Sequence, residues 1–484
     1  MKIPEKEEGL MAILAIVYAL LRLPVSLLLP FIRDEALYAI MIEEQKLRLT
    51  LVPTFLGHFV SWKPPLFFWA YLPFTYLPLP LELSYRLPSM LIGLATIPLL
   101  FRLLRNAGIS RNMAFFSMLF SLFSIHTIYP NATLLTDSLM FFFMSLSLLL
   151  YTEKKLPGWR FIAAGAAAFL AFFAKLVVAF MIPVLALVYI YTFDRPSLRK
   201  PLFIISLLAV PLALLTHYAV LDQAGLASEL YQSDVGGHFF SGSVAGQLEL
   251  LQTTVWALLV TGGMIWISLA AFGFIGSWRE NLFMSAWFLF SAVPLLSSAF
   301  LLWYYLPVMP AICYFALKCL AVWKGKERYD EIFFIVFSVF SFALLAFSGY
   351  IAWVLYDSFE AEREAGYLLS GKEGVLVAGY YAPSIIAYKV LPEMRRGGLE
   401  DFGWVVIPDN YTEDRVSPYI EDYRSEGDEV VDGSFSSFFT KTAVFRKETN
   451  LTDFSYVAVS KAPDVHAPGE VIFNRSNITV YKVQ

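Results

Sequence analysis

Long apolar stretches separated by short polar loops make up most of this chain. Eleven of them have the length of a helix, and several lie near the lower limit of the about 17–25 residues that cross a bilayer. They run at roughly 10–30, 86–104, 112–130, 136–152, 160–175, 176–193, 201–221, 251–273, 281–299, 303–321 and 331–355. The pattern predicts a polytopic α-helical membrane protein with about 11 transmembrane helices.

The pattern changes after residue 356. From there to the end, short apolar runs alternate with polar segments, which is typical of a soluble fold. The order of strands and helices in this tail predicts a small α/β domain. The predicted strands are 375–379, 404–408, 429–432, 443–446, 456–459, 471–473 and 478–483, and the predicted helices are 384–396 and 417–424.

Composition supports this division. The 484 residues are 58% hydrophobic and only 16% charged, whereas a soluble globular chain has about 25% charged residues. A water-soluble enzyme is therefore excluded. Residues 357–484 carry 34 of the 76 charged side chains, so we predict a membrane domain at 1–356 and a soluble domain at 357–484. No basic stripe suggests a nucleic-acid partner.

The distribution of lysine and arginine predicts the topology. Prolines interrupt the stretch Pro65–Leu81, and each removes a backbone donor that lipid cannot replace. If this stretch lies at the surface, the basic loops all fall on one side, which the positive-inside rule makes cytoplasmic. We therefore expect a multi-pass protein of the cell membrane with a cytoplasmic N-terminus and an extracytoplasmic tail. Four glycosylation sequons in the tail agree with this orientation: Asn410, Asn450, Asn474 and Asn477.

Polar side chains on the predicted outer face are the candidates for chemistry, because ionisable groups at a membrane are costly. The first outer loop, 31–85, opens with the acids Asp34 and Glu35, followed by Tyr38. The two acids have a second interpretation, since carboxylates interact favourably with a helix N-terminus. Further along the loop, Lys63 either snorkels to the interface or offers a compact cation to a phosphate.

More outer-face candidates follow along the chain. Asp137 opens the predicted fourth span, where it either takes part in chemistry or caps the helix together with Thr136. Lys175 lies at the junction of two short apolar helices. The other candidates are Arg86, Tyr304 and Tyr305, and the tyrosines also fit an ordinary interfacial belt.

This set suits transfer of a group from a lipid phosphate. Cations neutralise the charge that develops on a departing phosphate, and a carboxylate removes the proton of an incoming hydroxyl. A transporter would instead need charged groups near the bilayer midplane. The candidates all lie at one edge of the predicted membrane domain, so the pattern favours an enzyme.

Several short motifs occur in the order found in the C-superfamily membrane glycosyltransferases, and the chain resembles that family. The motifs are Asp34-Glu35-Ala36 with Tyr38, Val52-Pro53 with Gly57, Lys63-Pro64-Pro65-Leu66, Arg86-Leu87-Pro88-Ser89, Thr136-Asp137 and Tyr304-Tyr305-Leu306-Pro307. The series covers roughly residues 10–320. It is most similar to the protein O-mannosyltransferases and the aminoarabinose transferases that modify lipid A (the glycosyltransferase family 39/83-like group).

The resemblance implies a reaction and an architecture. The sugar donor would be a polyprenyl phosphate, dolichyl phosphate in an archaeon, and the transfer would be inverting and extracytoplasmic. The acceptor would be a protein, a lipid or a lipid-linked glycan. The fold would be the polytopic C-superfamily fold with an outer soluble C-terminal domain.

The resemblance also implies roles for individual residues. By their positions in the motifs, Asp34 would be the catalytic base and Lys63 the ligand of the lipid phosphate. Asp137 would be a second acid, and Tyr304 would lie at the mouth of the cavity. Arg86 corresponds to a recurrent arginine for which phosphate contact and helix anchoring both remain open.

Some positions depart from the family pattern. Trp62 stands where the lipid A branch has a glutamate that helps hold a metal, and Lys175 lacks the glycine-proline that usually follows it. His238, in the outer loop 222–250 that we expect to cover the cavity, is a candidate for the histidine partner, and so is His58.

A histidine without its acid makes a poor zinc site. The resemblance therefore assigns no cofactor, although it leaves room for a divalent cation held by Asp34, Glu35 or Asp137 together with the donor phosphate.

Other functions remain as alternatives. The principal one is a lipid-linked sugar flippase or transporter that uses the same groups for binding without transfer chemistry. A second makes the tail a binding module and the body its anchor, but eleven spans exceed what an anchor needs. The oligosaccharyltransferase catalytic subunit is a further relative, but the tail lacks a Trp-Trp-Asp-Tyr-Gly run.

Overall fold

A computed structural model of the chain describes residues 6–32, 34–47, 49–55, 58–60, 63–227, 263–290, 302–322, 356, 359–372, 375–379, 382–395, 405–408, 442–445, 456–460, 469–475 and 478–483. These residues fall into two compact units. Unit 1 takes in those within Met1–Ser26, Arg86–Gln223 and Asp234–Tyr350, and unit 2 those within Leu27–Tyr85, Ala224–Ser233 and Ile351–Gln484. The described residues of Leu27–Tyr85 thus group with those of the tail, and the domains predicted at 1–356 and 357–484 stay a prediction.

Helices dominate the described part of the chain. In order they are α1 (Glu7–Leu28), α2 (Asp34–Leu47), α3 (Leu66–Tyr71), α4 (Leu81–Asn106), α5 (Arg111–Phe123), α6 (Ile125–Ala132), α7 (Thr136–Thr152), α8 (Arg160–Ala174), α9 (Met181–Phe193), α10 (Pro201–Leu207), α11 (Ala209–Gln223), α12 (Gly263–Ser277), α13 (Leu282–Leu289), α14 (Met309–Val322), α15 (359–369) and α16 (Ala382–Arg395). Short 3₁₀-helical segments lie at Leu72–Tyr76, Val177–Phe180, Arg195–Arg199 and Leu302–Val308.

Several of these helices are apolar and long. In the described ranges, α1 and α4 are each long and apolar enough to cross a membrane, and the bent pairs α5–α6 and α10–α11 raise the number from two to four if each pair is one span. Shorter apolar helices include α7 and α8, which coincide with the stretches predicted at 136–152 and 160–175. The predicted span at 331–355 lies outside the described residues, so the total of eleven stays a prediction.

The proline-rich stretch that was expected to lie at the surface contains no helix of spanning length. It holds the six-residue α3 and the 3₁₀ segment Leu72–Tyr76, and Pro80 precedes α4. Because six helical residues extend only about 9 Å, α3 by itself is far too short to cross a bilayer. This observation agrees with the topology in which the stretch does not span.

The stretch predicted as the third span is two helices, α5 and α6, that meet at an angle of 68°. Ser124 lies at the break with a ψ of 135°, and its side chain accepts a hydrogen bond from the His126 N–H at 3.3 Å. From α1, the buried Arg22 donates to the Leu122 carbonyl at 2.9 Å and to the Thr127 hydroxyl at 3.2 Å. These bonds satisfy polar groups that lipid cannot satisfy, so the helix is able to break inside an apolar body.

Small residues allow close helix packing in unit 1. A Cβ built on Gly165 of α8 would lie 3.1 Å from the Ser206 Cα in α10, and a Cβ on Gly273 of α12 would overlap the Phe315 carbonyl oxygen in α14. Helix association in membranes depends on such close van der Waals contact, because burial of apolar surface provides little drive there. Glycine at these two positions is therefore part of the packing of the helices.

Unit 2 contains a sheet and the helices around it. The strands β3 (Val375–Gly379), β4 (Val405–Pro408), β5 (Thr442–Phe445), β6 (Tyr456–Ser460), β7 (Glu470–Arg475) and β8 (Ile478–Lys482) form one sheet in the order β5-β4-β3-β6-β8-β7, and β1 (Thr54–Phe55) pairs with β2 (His58–Phe59) as a hairpin. The pairings β3–β4, β4–β5 and β3–β6 are parallel, and those of β8 with β6 and β7 are antiparallel.

The described strands of the tail and α16 lie where the alternating pattern predicts them, whereas α15 was not predicted. Strand β3 coincides with the predicted strand at 375–379, and α16 covers the predicted helix at 384–396 within two residues at its start. The predicted helix at 417–424 and strand at 429–432 lie outside the described residues. Asn474, one of the four sequon positions, is exposed on β7, and the other three lie outside the described residues.

Candidate functional site

An ion pair in unit 1 joins two of the candidate residues. Asp137 lies in the first turn of α7 and is 1% exposed. Lys175 follows the last residue of α8 with extended backbone angles, and its Nζ is 2.5 Å from Asp137 Oδ1. The same Nζ lies 4.4 Å from the ring centroid of Tyr304. The cation therefore contacts both the carboxylate and the aromatic face, as in a cation–π pair.

The second oxygen of this carboxylate has a different environment. Asp137 Oδ2 is buried and makes no hydrogen bond to any described residue. Buried carboxylate oxygens are normally satisfied, and one that is not is a candidate for contact with a ligand. The helix-capping interpretation of Asp137 also receives no support, because the residue before α7, Leu135, makes no side-chain cap and Asp137 is directed to Lys175.

Tyr305, the residue after Tyr304, packs against α6. Its ring centroid is 5.3 Å from that of His126, which is 2% exposed in α6. Five residues further along α6, Asn131 accepts a hydrogen bond from the Ser138 hydroxyl of α7 at 2.8 Å. His126 and Asn131 were not among the residues predicted for the site, although a histidine and an asparagine around a proline in an apolar stretch are a signal of a broken helix with a polar lining.

Arg86 has a structural partner. The side chain is fully buried in α4, and its Nη1 donates to the Ser26 carbonyl of α1 at 3.3 Å. Ser26 in turn donates through its hydroxyl to the Ala132 carbonyl at the end of α6 at 2.7 Å. This arrangement favours helix anchoring, one of the two roles left open for Arg86.

In unit 2 the adjacent acids of the first loop differ in their surroundings. Asp34 is the first residue of α2 and is partly exposed, whereas Glu35 is fully buried. Glu35 Oε2 accepts a hydrogen bond from the Ile32 N–H at 3.0 Å, and the Glu35 N–H donates to the Ile32 carbonyl at 2.8 Å. Glu35 therefore closes the start of the helix in the manner of a capping box, and Asp34 is the acid that remains partly exposed.

Tyr38 connects α2 to the segment that follows Lys63. Its ring centroid lies 5.5 Å from that of Phe67 and 6.1 Å from that of Phe68, both in α3. Asp34 and Tyr38 share a face of α2 because they are four residues apart, and Lys63 precedes Phe67 by four residues. This packing of α2 on α3 places Asp34 and Lys63, which is also partly exposed, on neighbouring elements.

The end of α2 carries buried polar groups that the sequence analysis did not consider. Glu43 accepts a hydrogen bond from the Tyr85 hydroxyl at 2.6 Å. Gln45 accepts hydrogen bonds from the Trp69 indole at 3.1 Å and the Thr50 N–H at 3.0 Å. The run of polar residues at 43–46 looks like an exposed helix end in sequence, and only its contacts reveal that it holds the loop together.

A cation of the tail contacts two acids, one in α15 and one at the beginning of α4. Arg363 of α15 donates to Glu360 and, at 3.4 Å, to Glu82. Burial alone would lower the pKa of the Arg363 guanidinium, but its hydrogen bond to Glu360 and the charges of Glu360 and Glu82 outweigh burial and raise it. Arg363 is therefore a permanent cation in unit 2.

Some candidate positions cannot be placed. His238 and Trp62 lie outside the described residues, and the side chain of His58 is not described. In the ranges that are described, no group of three or more His, Cys, Asp and Glu residues is arranged to hold a metal ion.

Comparisons with known proteins fit this architecture. Residues 62–219 match the family model described as dolichyl-phosphate-mannose-protein mannosyltransferase. The crystal structure of ArnT from Cupriavidus metallidurans in the apo state is similar with a TM-score of 0.59 and 14% identity, covering 99% of this chain and 98% of that chain. The structure of the same protein bound to undecaprenyl phosphate has a TM-score of 0.56 and 16% identity over 98% and 97% of the two chains.

Other comparisons are weaker. The apo oligosaccharyltransferase of Archaeoglobus fulgidus matches with a TM-score of 0.47 and 13% identity, over 79% of this chain and 64% of that chain. No curated protein sequence matches the chain.

The chain therefore has the fold of ArnT. The resemblance to the C-superfamily glycosyltransferases that the motifs predicted is confirmed. The segment that matches the family model contains Lys63, Arg86, Asp137 and Lys175. Together with the apolar helices, these findings support a membrane glycosyltransferase in general and leave its sugar unspecified.

Proposed function

We propose that this protein is an integral membrane glycosyltransferase that moves a sugar from a polyprenyl phosphate to a hydroxyl group at the extracytoplasmic face. The observation that carries the proposal is the Asp137–Lys175–Tyr304 cluster, with one buried carboxylate oxygen left without a described partner. The cluster lies partly within the segment that matches the mannosyltransferase model. ArnT, which has the same fold, was crystallised with undecaprenyl phosphate, and this supports a polyprenyl phosphate as the lipid.

Asp34 would act as the general base of the reaction. It is partly exposed at the first turn of α2, so an acceptor hydroxyl is able to reach it. As the hydroxyl oxygen bonds to the anomeric carbon, its proton passes to the Asp34 carboxylate and the bond between that carbon and the phosphate oxygen breaks. Attack from the side opposite the phosphate inverts the configuration of the anomeric carbon.

Lys63 would bind the phosphate of the lipid. Its ammonium neutralises the charge that develops on the departing polyprenyl phosphate, which stabilises the transition state. The position of Lys63 directly before Pro64-Pro65 and α3 keeps the residue at the end of a rigid segment. A partly exposed cation at this place is suited to a phosphate held at headgroup depth.

Asp137 and Lys175 would bind the sugar or the acceptor. The Oδ2 of Asp137 is suited to accept a hydrogen bond from a sugar hydroxyl, because Lys175 binds Oδ1 and no described residue binds Oδ2. A divalent cation would need further ligands from the donor phosphate beside Asp34, Glu35 or Asp137. The orientation with the tail outside belongs to the same proposal, since the acceptor and the lipid phosphate must meet at one face.

The test of this function is transfer by the purified protein from a radiolabelled polyprenyl-phosphate sugar in liposomes. Asp34→Asn should lower the transfer rate by about 10²–10⁴-fold, the usual contribution of a general base. Binding of polyprenyl phosphate should stay within about twofold, because the amide keeps the volume of the side chain. A flippase would instead move the labelled lipid between leaflets without forming product, and full transfer by Asp34→Asn would contradict the assignment of the base.

A further inference from the structure

One hydroxyl group of the tail lies directly at the start of α2. The Phe31 N–H donates to the Tyr388 hydroxyl oxygen at 2.6 Å, across 357 positions of the chain. The Tyr388 O–H donates to Glu82 Oε1 at 3.0 Å. All of these residues belong to unit 2. The Tyr388 hydroxyl therefore accepts a hydrogen bond from the first loop and donates one to the beginning of α4.

Ring packing holds the same place. The Phe31 and Tyr388 rings are stacked, with centroids 5.5 Å apart at an interplanar angle of 28°, and the Tyr85 ring meets Phe31 edge-on at 5.7 Å. Phe31, Tyr85 and Tyr388 are fully buried. The rings already bury the apolar area, so the Tyr388 hydroxyl contributes the hydrogen bonds that orient this contact. A phenylalanine at this position would preserve the ring packing and remove those hydrogen bonds.

The acceptor of the Tyr388 proton is itself held. Glu82 Oε1 also receives a hydrogen bond from Arg363 of α15 at 3.4 Å. Gly366 in α15 approaches α16 so closely that a Cβ there would lie 2.5 Å from the Tyr388 Cβ. Two helices of the tail, α15 and α16, thus fix the position of this hydroxyl.

The held N–H is close in the chain to the proposed base. Phe31 precedes Asp34 by three residues, a reach of at most about 11 Å. Between them, the Ile32 N–H is bound by Glu35 at 3.0 Å. Two hydrogen bonds therefore hold the backbone that enters α2, one from Phe31 to the tail and one from Ile32 to Glu35 of the helix itself. Asp34 follows directly after this backbone segment.

We propose that Tyr388 is a positioning residue for Asp34, through which the soluble tail sets the direction of the catalytic carboxylate. The inference rests on the proposed function of Asp34. A general base must lie within hydrogen-bond reach of the proton that it removes, and misplacement by about 1 Å costs up to about 10²-fold in rate. Loss of one hydrogen bond that orients the backbone should therefore lower the turnover number and leave donor binding unchanged.

The test compares Tyr388→Phe with a matched variant, Tyr481→Phe, in the full-length protein. Tyr481 lies on β8 of the same tail and is partly exposed. Tyr388→Phe should lower kcat about fivefold to tenfold with KM for the lipid-linked sugar within about twofold. In hydrogen exchange followed by mass spectrometry, amides at 29–36 should exchange faster and those of β3 and β8 should not. Tyr481→Phe should change neither measurement.

Three outcomes would overturn the inference. Unchanged kcat and unchanged exchange at 29–36 would show that the hydroxyl does not orient α2. Faster exchange throughout the tail, with kcat and thermal stability falling together, would show a role in folding only. An increase in KM with unchanged kcat would place Tyr388 in substrate binding. Failure of the proposed function itself is recognised separately, because Asp34→Asn would then retain transfer whatever Tyr388→Phe does.

Discussion

The two units hold their candidate residues by different physical means. In unit 1, Asp137 and Lys175 are a largely buried ion pair between side chains, 38 positions apart in the chain. In unit 2, Asp34 is partly exposed, and the bonds around it run to main-chain N–H groups of Phe31 and Ile32. The stability of a buried ion pair depends on both charges being present. The stability of a main-chain hydrogen bond depends on an acceptor oxygen lying in the right place.

This difference predicts how the stability of each unit responds to substitutions that remove a charge. An ion pair in an apolar surrounding loses much when one partner is neutralised, because the remaining charge stays buried without compensation. A main-chain N–H still donates a hydrogen bond to a neutral oxygen, although this bond is weaker than one to a charged oxygen. We therefore expect charge-removing substitutions to destabilise unit 1 strongly and unit 2 weakly.

The largest effect should come from Lys175→Met. The substitution leaves the 1% exposed Asp137 carboxylate without its cation, and breaking a buried pair costs about 3–5 kcal/mol. Thermal unfolding of the purified protein in detergent measures the loss.

The double variant Lys175→Met with Asp137→Asn serves as the control, since it removes both charges. It should be more stable than Lys175→Met alone. Equal losses in the two variants would mean that the cost comes from packing of the lysine stem, and the contrast between the units would then fail.

An intermediate effect is expected from Glu35→Ala. This change leaves the Ile32 N–H without its acceptor, and loss of such a helix-start bond costs about 1–2 kcal/mol. Glu35→Gln keeps an oxygen in place and should cost less than about 1 kcal/mol. The same unfolding measurement compares them; a loss for glutamine as large as that for alanine would show that the charge of Glu35 matters more than its shape.

The smallest effect should come from Arg475→Gln. Its guanidinium lies 2.7 Å from Glu364 in unit 2, with both side chains partly exposed, and surface pairs contribute about 0–1 kcal/mol. The substitution should change the free energy of unfolding by less than about 1 kcal/mol, and added salt should remove what remains. A loss comparable to that of Lys175→Met would mean that burial does not explain the contrast.

Much of the fold was accessible from residue patterns. The described strands of the tail and α16 were predicted because alternation and short apolar runs report which side of a strand is buried, and β3 lies where the pattern placed it. The helices α7 and α8 were predicted for the same reason, from apolar runs of helical length. The 68° break at Ser124 was not predicted, because the apolar length of the stretch outweighed the signal of His126 and Asn131 within it.

The candidate site was accessible in part. Asp34, Lys63 and Asp137 stood out as acids and a lysine beside predicted spans, and motif order pointed to the same residues. Lys175 was the candidate whose role was most open, and its contacts with Asp137 and Tyr304 make it a central one. Tyr388 gave no signal at all, since a tyrosine in an amphipathic helix of a soluble tail looks like an ordinary core residue.

The order of apolar and polar residues by itself predicted a membrane protein with a soluble tail, and motif order determined its resemblance to the membrane glycosyltransferases. Partition between lipid and water depends on each residue's own chemistry, so it can be read locally. Only the tertiary structure decided that Lys175 pairs with Asp137 and that Tyr388 binds the loop before Asp34. Such partners are far apart along the chain, and a hydrogen bond or ion pair depends on distances that only packing sets.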